Sequence, residues 1–306
     1  MATPLPALMD AYLQAMATKA TGTRDAYRRI LRDLSTWLAA KPGDAAGFAP
    51  DQLTQTAVTI YLEQLQAAGY SRSHCARVKA VISGFARFLI EEHGTLRRNP
   101  TRGVTLPPAA ALAPRELSTD QRFVLRSLVE REGTVRGAAI FALGYWAGCR
   151  VSDVAHLETA HLHVTPKLGW MTVGHKGGKQ RTVDLHNQAR RALYDYIHAS
   201  ELASERRYVF PSQRSERLTE AGIHHWFRTL KALATTAEWE LIAQVTFHDL
   251  RHDFAHRARA AGWSLEEVAY YLGHLSKTGT PEIQTTVRYT QVSRDQVRPK
   301  LHQIPG

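Results

Sequence analysis

From Leu5 to Gly94 the chain carries four runs of apolar residues at helical spacing, and nothing in it alternates as a strand does. LPALMDAYLQAMA (5–17) is the first run. TRDAYRRILRDLSTWLAA (23–40), with Thr23 as its cap, is the second, and it lines up Ala26, Tyr27, Ile30, Leu31, Leu34 and Leu38 on one face. DQLTQTAVTIYLEQLQAAG (51–69) opens on Asp51 and stops at Gly69; SRSHCARVKAVISGFARFLIEEHG (71–94) opens on Ser71 and ends at Gly94. Helices of this kind cannot bury an apolar face alone, so the segment must close into a small bundle.

The polar faces of that bundle are rich in arginine. Arg24, Arg28, Arg29 and Arg32 fall on the second helix, and Arg72, Arg77, Lys79 and Arg87 on the fourth. TLRRNPTRGVTLPPAAALAPR (95–115) holds four prolines and little apolar periodicity, which reads as an interdomain linker; its Arg97, Arg98 and Arg102 suit phosphate. The expected organisation is a helical DNA-clamping domain over 1–104, a linker over 105–115 and a second domain over 116–306. Charge supports a polyanionic partner. The net charge is +11, with 13 Lys and Arg against 8 acids in residues 1–104 and 26 against 20 in the rest. Both halves are basic, so no detachable tail explains the excess, and extended contact with double-stranded DNA is the simplest account. Solubility charge alone is the competing one. The basic residues are not gathered into one amphipathic stretch, which argues against a membrane surface. There is no apolar run of membrane-spanning length, no secretory leader, and only Cys75 and Cys149, which read as reduced thiols of a cytoplasmic protein.

The second half mixes element types. STDQRFVLRSLVERE (118–132) starts with a capping residue, TVRGAAIFALGYWAG (134–148) reads as a buried helix, and VSDVAHLE (151–158) as a short one. WMTVGHKGGKQRTVDL (170–185) breaks the pattern as a β-hairpin with a basic turn. Helices resume over 187–203, 217–235, 247–261 and 264–272, the last opened by the capping box Ser264 to Glu267. The fold class is therefore mainly α with a small β-sheet or hairpin: an N-terminal helical bundle, then a mixed α/β domain.

TFHDLRHDFAHR (246–257) sets His248, His252 and His256 four positions apart, on one helix face. H-D-L-R-H approaches the zinc-protease pattern H-E-x-x-H, but Asp249 stands where that chemistry needs the longer Glu. A phosphate clamp uses other atoms: His248 and Arg251, three apart, both reach one oxyanion, and the planar arginine fork suits phosphate. Four other segments join it. AGCRVSDVAHL (147–157) places Arg150 after a buried helix, GHKGGKQR (174–181) puts Lys176 near a hairpin tip, LGH (272–274) presents His274, and TTVRYTQV (285–292) supplies Tyr289.

Taken in this order, Arg, Lys, His-x-x-Arg, His, Tyr, the chain resembles the tyrosine recombinases, the phage-integrase family that includes the Xer and Cre-like enzymes. The resemblance covers nearly the whole chain. It implies a SAM-like core-binding domain followed by a tyrosine-recombinase catalytic domain. It also implies Tyr289 as nucleophile, Arg150 and Arg251 on the phosphate, His248 and His274 as hydrogen-bond donors to it, with His248 also able to take the tyrosine proton, and Lys176 as general acid. Such chemistry places cations around the phosphate oxygens and a proton donor at the leaving 5′-oxygen. No metal or nucleotide cofactor is expected. The expected partners are two DNA sites bound by a homotetramer, with accessory proteins as an option. Lys179 rivals Lys176, and family register favours Lys176. Tyr270 and Tyr271 rival Tyr289 but sit in an apolar helical stretch and read as core. His252 is expected to be structural and His256 a polar surface position. Two features depart from the family: Asp153 stands where Glu is commoner, and LSKTGTPEI (275–283) lengthens the path from His274 to Tyr289. A type IB topoisomerase, a non-catalytic DNA-binding regulator and, more distantly, a zinc hydrolase are the alternatives.

Overall fold

The computed structural model describes residues 5–41, 50–107, 116–174, 180–199, 206–213, 215–274 and 280. The chain divides into two compact units, Met1–Ala111 and Leu112–Gly306. Among the described residues no helix is long and apolar enough to cross a membrane.

Among its described residues the first unit is the strandless bundle the periodicity predicts: α1 (Leu5–Ala15), α2 (Thr21–Ala39), a 3-10 turn (Pro50–Gln52), α3 (Gln55–Ala67) and α4 (Arg72–Glu91). Ile30, Leu31, Leu34 and Leu38 of α2 are buried, as are Val78, Ile82, Phe85 and Leu89 of α4. Two starts differ from expectation. Helix α2 begins two residues before Thr23, after Ala20, which makes no side-chain cap. Asp51 belongs to the 3-10 turn, and α3 is capped instead by Thr54, whose hydroxyl accepts from the Ala57 amide. Ser71 caps α4 as expected. Residues 95–104, linker-like in composition, are folded onto α4. Leu96 and Val104 are buried, and Asn99 Nδ2 donates at 3.0 Å to both the carbonyl and the hydroxyl of Ser83. These contacts make the segment a fixed loop; the remaining stretch of the expected linker, from 108, lies outside the described residues.

In the second unit α5 (Thr119–Glu132) and α6 (Val135–Tyr145) precede the short α7 (Val151–Ala155). β1 (Leu162–Val164), β2 (Gly169–Val173) and β3 (Arg181–Asp184) form an antiparallel sheet in that order. Then come α8 (Asn187–Ala199), α9 (Glu220–Lys231), α10 (Thr236–Ile242), α11 (Phe247–Ala260) and α12 (Leu265–Leu272). Helix α6 is buried along almost its whole length and packs against α5, α8 and α11. The hairpin gains a third strand, β1, too short to show alternation in the sequence. The helix expected over 217–235 is the shorter α9, and a second helix that the sequence did not suggest, α10, starts at Thr236 behind a capping box of Thr235 and Glu238. Ser118 and Ser264 cap α5 and α12 with the same motif.

Candidate active site

Segments far apart in sequence meet at the C-terminal end of α12. A helix end leaves its last carbonyls without backbone donors and carries partial negative charge. Three successive carbonyls here each face an arginine: Tyr271 O accepts from Arg181 Nε at 3.0 Å, Leu272 O from Arg251 Nη2 at 2.7 Å, and Gly273 O makes a long 3.5 Å contact with Arg150 Nη2. Gly273 takes the left-handed conformation, φ +70°, that ends the helix.

Arg251 is the best-enclosed of the three, 1% exposed. Its Nη1 donates to Gly148 O at 2.6 Å, in the turn that leads to Arg150. Its Nη2 also lies 2.9 Å from His274 Nε2. Arginine only donates, so Nε2 accepts and the neutral imidazole carries its proton on Nδ1. Burial first, then the charges of Arg251, Arg150 and Arg181, pull the His274 pKa down to about 3, which keeps the ring neutral at physiological pH.

The Gly-Cys-Arg turn is shaped by contact. Gly148 has φ +60°, and a Cβ there would lie 2.7 Å from Leu272 Cδ2 and 2.8 Å from Phe254 Cδ1. Arg150 caps α7 with its amide bonded to Asp153 Oδ2 at 3.1 Å. The same carboxylate oxygen accepts from Arg181 Nη2 at 3.0 Å, so Asp153 holds both the backbone of Arg150 and the side chain of Arg181. Arg181 is the residue that sequence reasoning missed. Its signal was present: in RTVD, Val183 is buried between exposed Thr182 and Asp184, so Arg181 takes an inward position.

Helix α11 carries the histidine stripe. The amide and hydroxyl of Thr246 both donate to Asp249 Oδ2 at 2.7 Å, which fastens the first turn. Asp249 therefore spends its carboxylate as a cap, where a zinc protease would aim a base at water. Among the described residues no three His, Cys, Asp or Glu side chains are grouped as a metal would require. His248 is exposed in the first turn, its ring 4.4 Å from that of His252. Crowding by neighbouring atoms, then the Arg251 charge, holds the His248 imidazole below its ordinary range. Burial, and then His248, brings His252 to about 4. His256 is not a surface position: its side chain is 14% exposed, and Nδ1 lies 3.8 Å from Glu116.

The rival tyrosines separate. Tyr270, read as core, is 64% exposed, because α12 turns that face outward. Tyr271 is half-buried, donates its hydroxyl to Asp184 O at 2.9 Å, and has its pKa raised by burial. Lys176, Lys179, Tyr289 and all of the 275–283 stretch but Thr280 lie outside the described residues. The structure thus brings together Arg150, Arg251, His274 and, on the same helix as Arg251, His248.

In the first unit Arg28, Arg29, Arg32, Arg72, Arg77, Arg97 and Arg98 are exposed, and Arg24 is half-buried. Arg28 pairs with Asp25 at 2.7 Å, and Arg72 Nε donates to Pro107 O at 2.9 Å. Lys79 departs from the expected DNA-facing set: it is half-buried and its ammonium donates to Val104 O, tying down the 95–104 segment.

Comparison with known proteins identifies the family and the fold. The phage integrase family matches residues 120–296, and the phage integrase N-terminal SAM-like domain matches residues 9–93. Tyrosine recombinase XerC of Neisseria gonorrhoeae is 28% identical over 96% of this chain and 96% of its own. Tyrosine recombinase XerD of Bifidobacterium longum is 30% identical over 90% of this chain and 88% of its own. The Tn1549 transposon integrase, solved in complex with transposon right end DNA, has the same fold: TM-score 0.74 at 16% identity, covering 98% of this chain and 99% of that one. A lambda integrase dimer bound to a COC′ core site gives 0.68 at 15% identity, over 95% and 100%. With one family model spanning more than half of the chain and relatives aligned along nearly all of it, the chain belongs to the phage integrase family and is a tyrosine recombinase.

Proposed function

We propose that this recombinase cuts and rejoins duplex DNA at specific sites by passing a phosphodiester to Tyr289 and back. One observation supports the reading most: Arg150, Arg251 and His274, carried by three different segments, converge on the end of α12 with His248 at the start of α11. Cations and neutral N–H donors gathered at one point suit the non-bridging oxygens of a phosphate, where charge builds in the transition state.

In the cleavage step the Tyr289 oxygen attacks phosphorus. The new P–O bond forms as the bond to the 5′-oxygen breaks. His248, held below its ordinary pKa and so neutral, takes the tyrosine proton, and Lys176 gives a proton to the departing 5′-oxygen. The products are a 3′-phosphotyrosine and a free 5′-hydroxyl. Rejoining reverses each transfer, and the energy of the phosphodiester is retained. Arg150 and Arg251 hold the phosphate throughout, and neutral His274 donates a hydrogen bond to it. Arg24, Arg28, Arg29, Arg32, Arg72, Arg77, Arg97 and Arg98 contact the DNA backbone from the helical unit. Four protomers assemble on two sites in the cytoplasm and exchange strands in pairs through a Holliday junction, with or without accessory proteins.

A covalent trap tests the reading. The protein is incubated with nicked duplexes tiled across the DNA beside its own gene, and SDS-resistant adducts are mapped by mass spectrometry. An adduct on Tyr289, absent from Tyr289→Phe, is the expected result and also locates the site. An adduct on Tyr270 or Tyr271 overturns the assignment of the nucleophile. Specific binding with no adduct in any duplex overturns the catalytic reading.

A further inference from the structure

Arg181 stands at an inward position of β3, where alternation calls for an apolar side chain. Its backbone pairs with Val173 of β2, so the sheet fixes where the side chain starts. The side chain is 9% exposed and that of Asp153 is 4% exposed. The guanidinium is committed to protein on two sides. Nη2 donates to Asp153 Oδ2 at 3.0 Å, the oxygen that also accepts from the Arg150 amide at 3.1 Å. Nε donates to Tyr271 O at 3.0 Å, close before Gly273, whose own carbonyl meets Arg150 Nη2 at 3.5 Å. A Cβ on Gly273 would lie 2.9 Å from Arg181 Cδ and from its Nη1. One buried side chain thus ties the turn that presents Arg150 to the end of α12. A buried ion pair adds little stability over a well-packed apolar side chain, so stability is a poor reason for a guanidinium here; fixing a geometry is a better one.

We propose that Arg181 is a positioning residue for Arg150: anchored on Tyr271 O, it holds the Asp153–Arg150 turn against the end of α12 and so sets where the Arg150 side chain meets the phosphate. Arg181 itself takes no phosphate oxygen. The inference rests on the reading of Arg150 as a phosphate ligand. A merely structural pair makes a different prediction, because its loss slows the reaction whether or not the Arg150 side chain is present. So does a further phosphate ligand, because its loss removes a cation from the DNA contact.

The test is a double-mutant cycle in the full chain, on a nicked duplex with which the parent forms its covalent adduct. Adduct formation is followed in single turnover for the parent, Arg150→Ala, Arg181→Gln and the double variant. Thermal melting and the salt dependence of DNA affinity are measured on the same samples. Arg150→Ala is expected to lose about a hundred- to a thousandfold in rate, as removal of one fixed donor does. Arg181→Gln is expected to lose about ten- to a hundredfold, the cost of a small misplacement. The double variant should fall within about threefold of Arg150→Ala, because a residue that acts through Arg150 then has nothing left to place. The slope of log binding constant against log salt should be the same in Arg150→Ala and in the double variant. Arg181→Lys should recover part of the rate, since a single ammonium cannot hold Asp153 and Tyr271 O together as the planar fork does. An Arg181→Gln rate within about threefold of the parent overturns the proposal outright. Losses that multiply in the double variant overturn it in favour of a structural pair. A double variant as fast as Arg150→Ala, but with a slope lower by about 0.9, overturns it in favour of a phosphate ligand. No adduct from the parent on any duplex, or Arg150→Ala within about threefold of the parent, overturns instead the reading of the clamp on which the proposal stands. Should Arg181→Gln not fold, Asp153→Asn, which weakens the same tie from its other end, takes its place in the cycle.

Discussion

Asp253 should be among the most costly side chains to remove from the second unit. It lies two residues past Arg251 on α11, is fully buried, and accepts from Arg122 Nε at 3.0 Å and Nη2 at 2.8 Å, from Arg257 Nε at 2.9 Å and from the Leu117 amide at 3.2 Å. It thereby fastens the entry of the unit to the helix that carries His248 and Arg251. Arg257 also lies over the Tyr145 ring, 4.1 Å from its centroid. Taking one partner from a buried ion pair costs about 3–5 kcal/mol. Both arginine side chains are 23% exposed and regain some water in Asp253→Ala, which places the loss near the lower end, about 3 kcal/mol. With a urea dependence of about 2–3 kcal/mol per molar, the midpoint of this unit falls by about 1–1.5 M. Five of the six tryptophans lie beyond residue 112, so tryptophan fluorescence follows mainly this unit. Asp253→Asn keeps the shape and one carbonyl acceptor and should lose about half as much. A midpoint lowered by less than about 0.3 M in Asp253→Ala would refute the reasoning, because the cluster would then contribute no more than an exposed pair does.

Three further outcomes are expected, two at the site and one in the helical unit. His274 has its pKa lowered to about 3, so its contribution to stability is full above the unfolded value near 6.5 and is lost as pH falls toward 3; about 2 kcal/mol should disappear between pH 7 and pH 5, and His274→Gln should flatten that slope in urea titrations at several pH values. In the helical unit, Arg29→Ala should lower the slope of log binding constant against log salt by about 0.9, read by fluorescence anisotropy, whereas Lys79→Ala should leave it within error, because that ammonium is bound to Val104 O. Gly273→Ala forces a Cβ onto a backbone with φ +70° and into Arg181, and should cost about 1–2 kcal/mol in backbone strain alone, measured by thermal melting, with slower adduct formation.

Legibility in the sequence followed the range of the interactions. The bundle, the buried α6 and the caps at Ser71, Ser118 and Ser264 were readable because each depends on residues within one or two turns. The site was readable as a set of motifs, since Arg150, His248, Arg251 and His274 each sit at a turn or helix start that has its own local signal. What escaped was set by partners far along the chain. Lys79 looked like any other basic residue of a polar helix face until the 95–104 loop folded over it. His256 looked exposed, yet its side chain is 14% exposed and faces Glu116. Tyr270 and Tyr271 are adjacent letters, yet only Tyr271 turns toward Asp184. Arg181 was hidden for the same reason: its inward position in β3 was visible, but not the carboxylate and the carbonyl that make burial of a guanidinium tolerable there.

The way the arginines are held bears on how the proposed site would receive a phosphate. A guanidinium fixed by carboxylates is placed and neutralised together, and little of its charge is left for a ligand. At the end of α12 backbone carbonyls take part in the placement: Leu272 O and Gly148 O for Arg251, Gly273 O for Arg150, and Tyr271 O alongside Asp153 for Arg181. A helix end offers about half a negative charge in all, spread over several carbonyls, so it orients cations without cancelling them. His274 lies in the remaining positive potential: burial first, and then the charges of Arg251, Arg150 and Arg181, lower its pKa. Burial and that field together keep the ring neutral, and the field is what would draw a phosphate in. A neutral imidazole could then donate to the phosphate without adding to the repulsion among the arginines.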